Sequence, residues 1–285
     1  MKSKTFYFIL ALTLLFIFVQ YFCYYTDPID KRTHMYNLSA DGVQIYKNVL
    51  TSDEITQMAE YSKNEQYENI KTHLLNSEKV NNFIHSSVGN DYKFQDYIWI
   101  IKKSSVHTCH RDNNGDFFNE GQKYPSYTML VYLEDMEKCL GVVPRSHKDV
   151  NSFNYNWTDP IINLPCSKGD VIIFNANLIH VGCINEKENN LRIQLKLTHK
   201  DDIEKINYYQ NFNKILNQEN TLPLFVRKAQ KKVSCMLPGI SNLTQNENIR
   251  TARGSDNGVD VGGGQKVFSY LFYGNKDFYD LPNAF

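Results

Sequence analysis

Tyr97-Ile98-Trp99-Ile100-Ile101, followed a few residues later by His110-Arg111-Asp112, decides how this chain is read. The first five residues are an apolar run of strand length. A His and an Asp one residue apart on an extended strand point to the same side, because strand side chains alternate with period two. A distant His then completes a set of two imidazoles and one carboxylate. That set holds Fe(II) on one face and leaves the other positions open for substrates and O2. His180 supplies it at the end of a second apolar run, Val171-Ile172-Ile173-Phe174 through Leu178-Ile179. Arg192, twelve residues further on, offers a fixed cation for a carboxylate co-substrate.

The tripeptide by itself is a weak signal, because H-x-D occurs three times: His110-Arg111-Asp112, His147-Lys148-Asp149 and His199-Lys200-Asp201. All eight histidines lie at or before position 199, so the third copy has no later His to complete a triad. The second follows Pro144-Arg145-Ser146, which reads as a turn, and no Arg follows His199 until Arg227. Only the first copy puts both halves of a metal site at strand ends with an Arg on the next strand. Hydrogen-bonded histidines at a polar strand end have the same spacing, so the flanking segments must decide. Leu191, Ile193, Leu195 and Leu197 alternate with Arg192, Gln194, Lys196 and Thr198, which gives one apolar face and one polar face. The polar face is expected to line a wet pocket. His107 is read as a supporting or surface residue, and Ser146 and His147 as turn structure. Thr128 and Tyr127 are candidate pocket residues. Lys102 and Lys103 are read chiefly as solvated.

Over its 285 residues the chain has as many acidic as basic residues, 31 of each, and 42% hydrophobic residues. That composition suits one globular domain with an appendage and gives no basic excess for nucleic acid. Phe6 to Phe22 is apolar except for Thr13 and Gln20, with Lys2 and Lys4 before it and Tyr21, Tyr24 and Tyr25 at its far end. Large residues follow this core where a cleavage site would need small ones. Residues 1–25 are therefore expected to be an uncleaved signal anchor, making a single-pass membrane protein. Its N-terminus would be cytoplasmic, and the domain would lie in the ER or Golgi lumen or outside the cell. Asn37-Leu-Ser39, Asn156-Trp-Thr158 and Asn242-Leu-Thr244 would then be glycosylation acceptors. Outside the anchor five cysteines remain, Cys109, Cys139, Cys166, Cys183 and Cys235, with no C-x-x-C spacing. One or two disulfides are expected, with the pairing open.

Residues 26–40 read as a polar linker, 41–218 as the main domain, and 219–285 as a C-terminal extension with a mobile loop at 241–266. Val43 to Val49 alternates like a strand. Thr51 and Glu54 stand at capping-box spacing and predict a helix to about Lys63. A second helix is expected over 76–87 and a closing helix over 202–216. Strands are expected at 94–102, 126–133, 141–143, 161–164, 170–174, 178–183 and 190–198. Many short strands after early helices predict a mainly β fold with flanking helices: a double-sheet jelly roll preceded by one transmembrane helix.

Gly141-Val-Val-Pro-Arg-Ser-His-Lys148 resembles the strand-and-turn segment of the phytanoyl-CoA hydroxylase family, within the Fe(II)/2-oxoglutarate dioxygenases. Asp41 through Ile55 resembles that family's opening strand and first helix. Lys168-Gly-Asp-Val-Ile-Ile-Phe174 with His180 and Arg192 resembles its distal half in order and spacing. The resemblance covers roughly residues 41–200. It implies a double-stranded β-helix, iron held by His110, Asp112 and His180, and 2-oxoglutarate chelating the metal with its distal carboxylate on Arg192. Two features depart from the pattern. Arg145 stands where the family turn usually carries Gly. The stretch from Asp112 to Tyr124 leading into Thr128 also resembles prolyl hydroxylases of the same superfamily, which use Lys for the co-substrate, and Lys196 is available on the same face.

Three readings follow. The first is a membrane-anchored Fe(II)/2-oxoglutarate dioxygenase that uses O2 to hydroxylate an aliphatic C–H of a small molecule or lipid. The second is the same chemistry on a prolyl or lysyl side chain of a protein in the secretory lumen. The third is a non-catalytic membrane-anchored jelly-roll binding protein. A related iron halogenase replaces the carboxylate ligand with a small residue, so the presence of Asp112 favours hydroxylation. Substrate choice is expected to reside in loops 113–125 and 144–160.

Overall fold

In the computed structural model the described chain is all but residues 1, 25, 96–97, 104, 113–121, 150–158, 185–189, 206–215, 244–262 and 279–285. It begins with helix α1 (Lys2–Val19), continued by a π turn over Gln20–Tyr24. The stretch Lys4–Phe22 is long and apolar enough to cross a membrane.

The segment read as a linker is tied down. Pro28 and Asp30 exchange backbone hydrogen bonds with Asn163, a 3-10 turn follows at Thr33–Met35, and the short helix α2 (Leu38–Asp41) is capped by the Asn37 side chain. Strand β1 (Val43–Tyr46) comes next, then helix α3 (Ser52–Lys63). Both bonds of the expected capping box are made: Thr51 Oγ1 accepts from the Glu54 amide, and Glu54 accepts from the Thr51 amide. The helix expected over 76–87 is α5 (Glu78–Val88), and a further helix, α4 (Tyr67–Asn76), precedes it. Ser77 ends α4 and, accepting from the Val80 amide, starts α5.

Among the described residues eight more strands follow: β2 (Tyr92–Phe94), β3 (Trp99–Ile101), β4 (Tyr127–Tyr132), β5 (Met136–Val142), β6 (Ile162–Cys166), β7 (Val171–Asn175), β8 (His180–Gly182) and β9 (Arg192–His199). The expected strand over 94–102 is two strands, and that over 141–143 begins earlier, at Met136. A six-stranded sheet runs β1-β7-β4-β9-β2, with β3 also on β9; a three-stranded sheet runs β6-β5-β8. All strand pairs are antiparallel.

Period two sorts each strand of the large sheet between two cores. Met129, Val131, Ile173, Ile193, Leu195 and Leu197 pack against the helices, together with Met58, Ile70, Leu74, Val80 and Ile84. The alternate residues Val43, Ile45, Leu130, Tyr132, Ile172 and Phe174 meet Leu140, Val142 and Leu164 of the small sheet. Two antiparallel sheets sharing one core, with helices on the outer face of the larger, make the expected jelly roll. The turn into β7 shows how tightly its corners are specified. Gly169 sits at φ +88°, and a Cβ there would lie 2.7 Å from Ile55 Cδ1. Next to it the buried Asp170 accepts from the Ser167 and Asn48 amides and pairs with Lys47 at 2.6 Å.

Of the expected closing helix, residues 200–205 form a 3-10 turn and 206–215 lie outside the described residues. The C-terminal extension contains α6 (Leu224–Met236), α7 (Pro238–Leu243) and α8 (Gly263–Tyr273). Most of the loop read as mobile lies outside the described residues. Two disulfides form, Cys109–Cys235 and Cys139–Cys166, and Cys183 is a buried free thiol.

Candidate metal centre

His110 and His180 face each other across an isolated antiparallel bridge, each donating its amide to the other's carbonyl at 3.0 Å. His180 heads β8, where it lies opposite Val142 of β5. His110 and Asp112 follow β3 on irregular chain, and the bridge to His180 fixes their register. Each imidazole is oriented in the same way: Nδ1 donates 2.9 Å to the carbonyl two residues earlier, Thr108 for His110 and Leu178 for His180. That bond assigns the ring proton to Nδ1 and turns Nε2, with its lone pair, inward. Both Nε2 atoms lie 3.4 Å from Asp112 Oδ1. The three candidate ligand atoms all lie within 4.8 Å of one another.

The Asp112 carboxylate divides its two oxygens. Oδ1 faces the imidazoles, while Oδ2 accepts from Thr128 Oγ1 at 2.7 Å and from the buried Lys196 ammonium, which also donates to Thr128 at 2.6 Å. Burial raises the Asp112 pKa, but the Lys196 charge and the two imidazoles outweigh it and hold the carboxyl well below the ordinary range. Burial pushes His180 below its usual pKa, favouring the neutral form that ligates metals. Two imidazoles with Nε2 turned inward and one ionised carboxylate, converging and held from behind, fit a divalent iron bound on one face.

Thr128 and Lys196 lie opposite each other on β4 and β9, on the face that meets the small sheet. Arg192 shares that face, opposite Tyr132. It is buried and donates to the Asn190 carbonyl at 3.2 Å; among the described residues no carboxylate pairs with it. Four residues of strand separate it from Lys196, about 13 Å. Burial lowers its pKa, so its charge sits in a poorly hydrated site suited to a carboxylate.

Arg111, between the candidate ligands His110 and Asp112, turns the other way. Its buried guanidinium donates to the carbonyls of Ser146 and Asn177. Ser146 Oγ in turn accepts from the Ile179 amide, so the Pro144–His147 turn clamps both ligand-bearing segments. Arg145 adopts φ +70°, in the left-handed region that glycine takes without strain. His147 bonds to the Ser39 carbonyl and His199 stacks on Tyr124, both away from the triad. Lys102 pairs with Glu65 and Lys103 with Glu219. Tyr127 packs on the helix side of the sheet, opposite in sense to Thr128. The role of Thr128 against Asp112 is not specified by spacing, since it depends on a contact between distant segments.

Among solved structures, the chain is similar to the epimerase SnoN in complex with Fe3+, alpha-ketoglutarate and nogalamycin RO (14% identity, TM-score 0.47, 59% of this chain and 83% of that one). It is also similar to HygX from Streptomyces hygroscopicus with nickel and 2-oxoglutarate bound (17%, 0.46, 60% and 87%) and to AviO1 from Streptomyces viridochromogenes Tue57 (16%, 0.45, 61% and 96%). No curated protein sequence matches the chain. The phytanoyl-CoA dioxygenase (PhyH) family matches residues 36–186, more than half of the sequence, and the chain belongs to that family of Fe(II)- and 2-oxoglutarate-dependent oxygenases.

Proposed function

We propose that the protein is a membrane-anchored hydroxylase that acts on an aliphatic C–H of a small molecule or lipid. In this reading His110, Asp112 and His180 hold the iron and Arg192 holds the distal carboxylate of 2-oxoglutarate. The observation that carries it is the convergence of two inward-turned Nε2 atoms and one Asp112 oxygen within 4.8 Å. When bound, iron and 2-oxoglutarate supply O2 activation, with the co-substrate leaving as succinate and CO2. The chain's own residues do the positioning. Thr108 and Leu178 aim the imidazoles, and Thr128 and Lys196 occupy the outer oxygen of Asp112, leaving the inner one for the metal. The apolar walls around Phe174, which packs 4.4 Å from His180, limit water.

The choice of Arg192 over Lys196 for the co-substrate is supported by what each touches. Lys196 is engaged by Asp112 and Thr128, whereas among the described residues Arg192 donates to the Asn190 carbonyl and pairs with no carboxylate. This favours the phytanoyl-type arrangement over the prolyl-hydroxylase type. We further propose the division 1–25 anchor, 26–40 connection, 41–218 oxygenase domain and 219–285 extension. The domain would be lumenal or extracellular. Two disulfides support an oxidising compartment, and Asn37 is exposed in a glycosylation triplet. Glycosidase-sensitive mass at Asn37 is expected, and a protease-accessible cytosolic domain would reject the orientation.

Anaerobic titration of the full chain with Fe(II) and then 2-oxoglutarate tests the chemistry. A metal-to-ligand charge-transfer band at one equivalent of each is expected. No band and no retained 2-oxoglutarate would return the protein to a non-catalytic binding role.

A further inference from the structure

The described residues between β3 and His110 belong to no strand, yet Ser105, His107, Thr108 and Cys109 are buried. Buried polar groups outside a sheet need partners from elsewhere. Here they come from the C-terminal extension. The Cys109 amide donates 2.8 Å to Ser234 Oγ, and its sulfur is bonded to Cys235, both on α6. Thr108 Oγ1 meets Tyr273 Oη of α8 at 2.8 Å. His107, with no exposed surface, uses both ring nitrogens: Nε2 donates to Gln230 Oε1 at 2.7 Å and Nδ1 accepts from the Asn220 amide at 3.0 Å. These partners fix a single neutral tautomer, and burial pushes the His107 pKa down to about 4.

We propose that the C-terminal extension is the positioning frame of the metal centre: through Thr108 and Cys109 it sets the direction in which His110 points. The chain of contacts is short. The Thr108 carbonyl accepts the His110 Nδ1 proton at 2.9 Å, and that bond orients the ring. Thr108 is itself held by Tyr273 on its side chain and by the Cys109–Cys235 disulfide one residue on. One peptide unit separates the covalent tether from the imidazole. Among the described residues no such frame serves His180, whose orienting carbonyl, Leu178, lies in the turn that joins β7 of the large sheet to β8 of the small one. The extension lies beyond the part of the chain that the family matches, residues 36–186. This proposal therefore adds to the site residues from outside the matched region. It rests on the reading of His110 as a ligand.

The test uses the full chain and Co(II) alone, read by affinity and by the d–d absorption spectrum. Partners behind a ligating His contribute roughly ten- to a hundred-fold in metal affinity. The double substitution Cys109→Ser/Cys235→Ser is expected to weaken Co(II) by at least tenfold and to change its spectrum. Removing the other disulfide, Cys139→Ser/Cys166→Ser, is expected to leave both within twofold of wild type. Thr108→Val, which loses the Tyr273 bond, is expected to weaken Co(II), while Thr108→Ser, which keeps it, restores wild-type behaviour. Should the first double variant fail to fold, the Thr108 pair decides. Wild-type affinity and spectrum in a folded Cys109→Ser/Cys235→Ser chain, or in Thr108→Val, overturn the frame. Co(II) bound normally by His110→Ala overturns the ligand assignment and the frame with it.

Discussion

His180 and His110 arrive at the same point by unlike routes. His180 starts a strand that lies beside β5, so its backbone is placed by a ladder shared with regular neighbours. His110 follows irregular chain stitched to residues more than a hundred positions downstream. One candidate ligand is placed by sheet register and the other by side-chain bonds and a disulfide. The distal half of the site is thus intrinsic to the jelly roll, whereas the proximal half depends on a segment added to it.

Loss of either histidine is the largest expected effect. His110→Ala and His180→Ala should each abolish Fe(II) binding in anaerobic titration, while His147→Ala and His199→Ala keep it. Iron kept by His110→Ala and lost from His147→Ala would move the site to another H-x-D copy.

A pH titration separates the halves next. His107 is buried neutral with a pKa near 4 against an ordinary value of 6.5. Between those values the unfolded chain binds the proton and the folded one does not. The stability that neutral His107 contributes is complete above about 6.5 and is lost as pH falls toward 4, roughly 3 kcal/mol in all. His107→Gln should flatten that part of the stability-versus-pH curve from chemical denaturation. An unchanged slope would show that the proximal packing is not coupled to this proton.

A smaller effect is expected in the distal half. A guanidinium binds a carboxylate with two parallel hydrogen bonds, which an ammonium cannot reproduce. Arg192→Lys should weaken 2-oxoglutarate by about tenfold, near 1.4 kcal/mol, with Fe(II) affinity alone unchanged in calorimetry. Lys196→Ala should disturb the metal instead, because Lys196 holds Asp112. The reverse ranking would favour the prolyl-hydroxylase type of arrangement.

The smallest expected effect is in the turn that clamps both halves. Arg145 sits in the left-handed region, which costs an L side chain about 1 kcal/mol. Arg145→Gly should leave metal binding untouched and raise stability by no more than that in thermal melts.

What could be read beforehand follows the same division. The order His110, Asp112, His180, Arg192 is legible from two apolar runs and their spacing, but His110 and Asp112 lie on irregular chain past β3 and not on the strand that period two implies, because the bridge to His180 sets their register. The capping box at Thr51 and Glu54 was equally explicit, since both partners lie within one turn. Helix α6 gave no such signal. Its buried face is Lys231, Lys232, Ser234 and Cys235, so apolar periodicity does not mark it. It is held by the Cys109–Cys235 disulfide and the Lys231–Asp27 ion pair, whose partners lie far along the chain. Strand β5 was read too short because its alternation is broken by an irregularity between Met136 and Leu140. Helices α4 and α5 meet at Ser77 with no Gly or Pro between them, so the first went unseen.

The Lys231–Asp27 pair bears on where this protein can be trimmed. Lys231 is buried and lies 2.8 Å from Asp27, just past the apolar helix; beside it the Asn163 amide donates to the Pro28 carbonyl and the Asn163 carbonyl accepts from the Asp30 amide. A shortened version starting at residue 33 would strand that ammonium inside the fold, a change that typically costs several kcal/mol. Starting at residue 26 keeps the carboxylate and both backbone bonds. The practical boundary of a secretable, water-soluble form therefore lies at the end of the apolar helix, not at the end of the polar stretch that follows it.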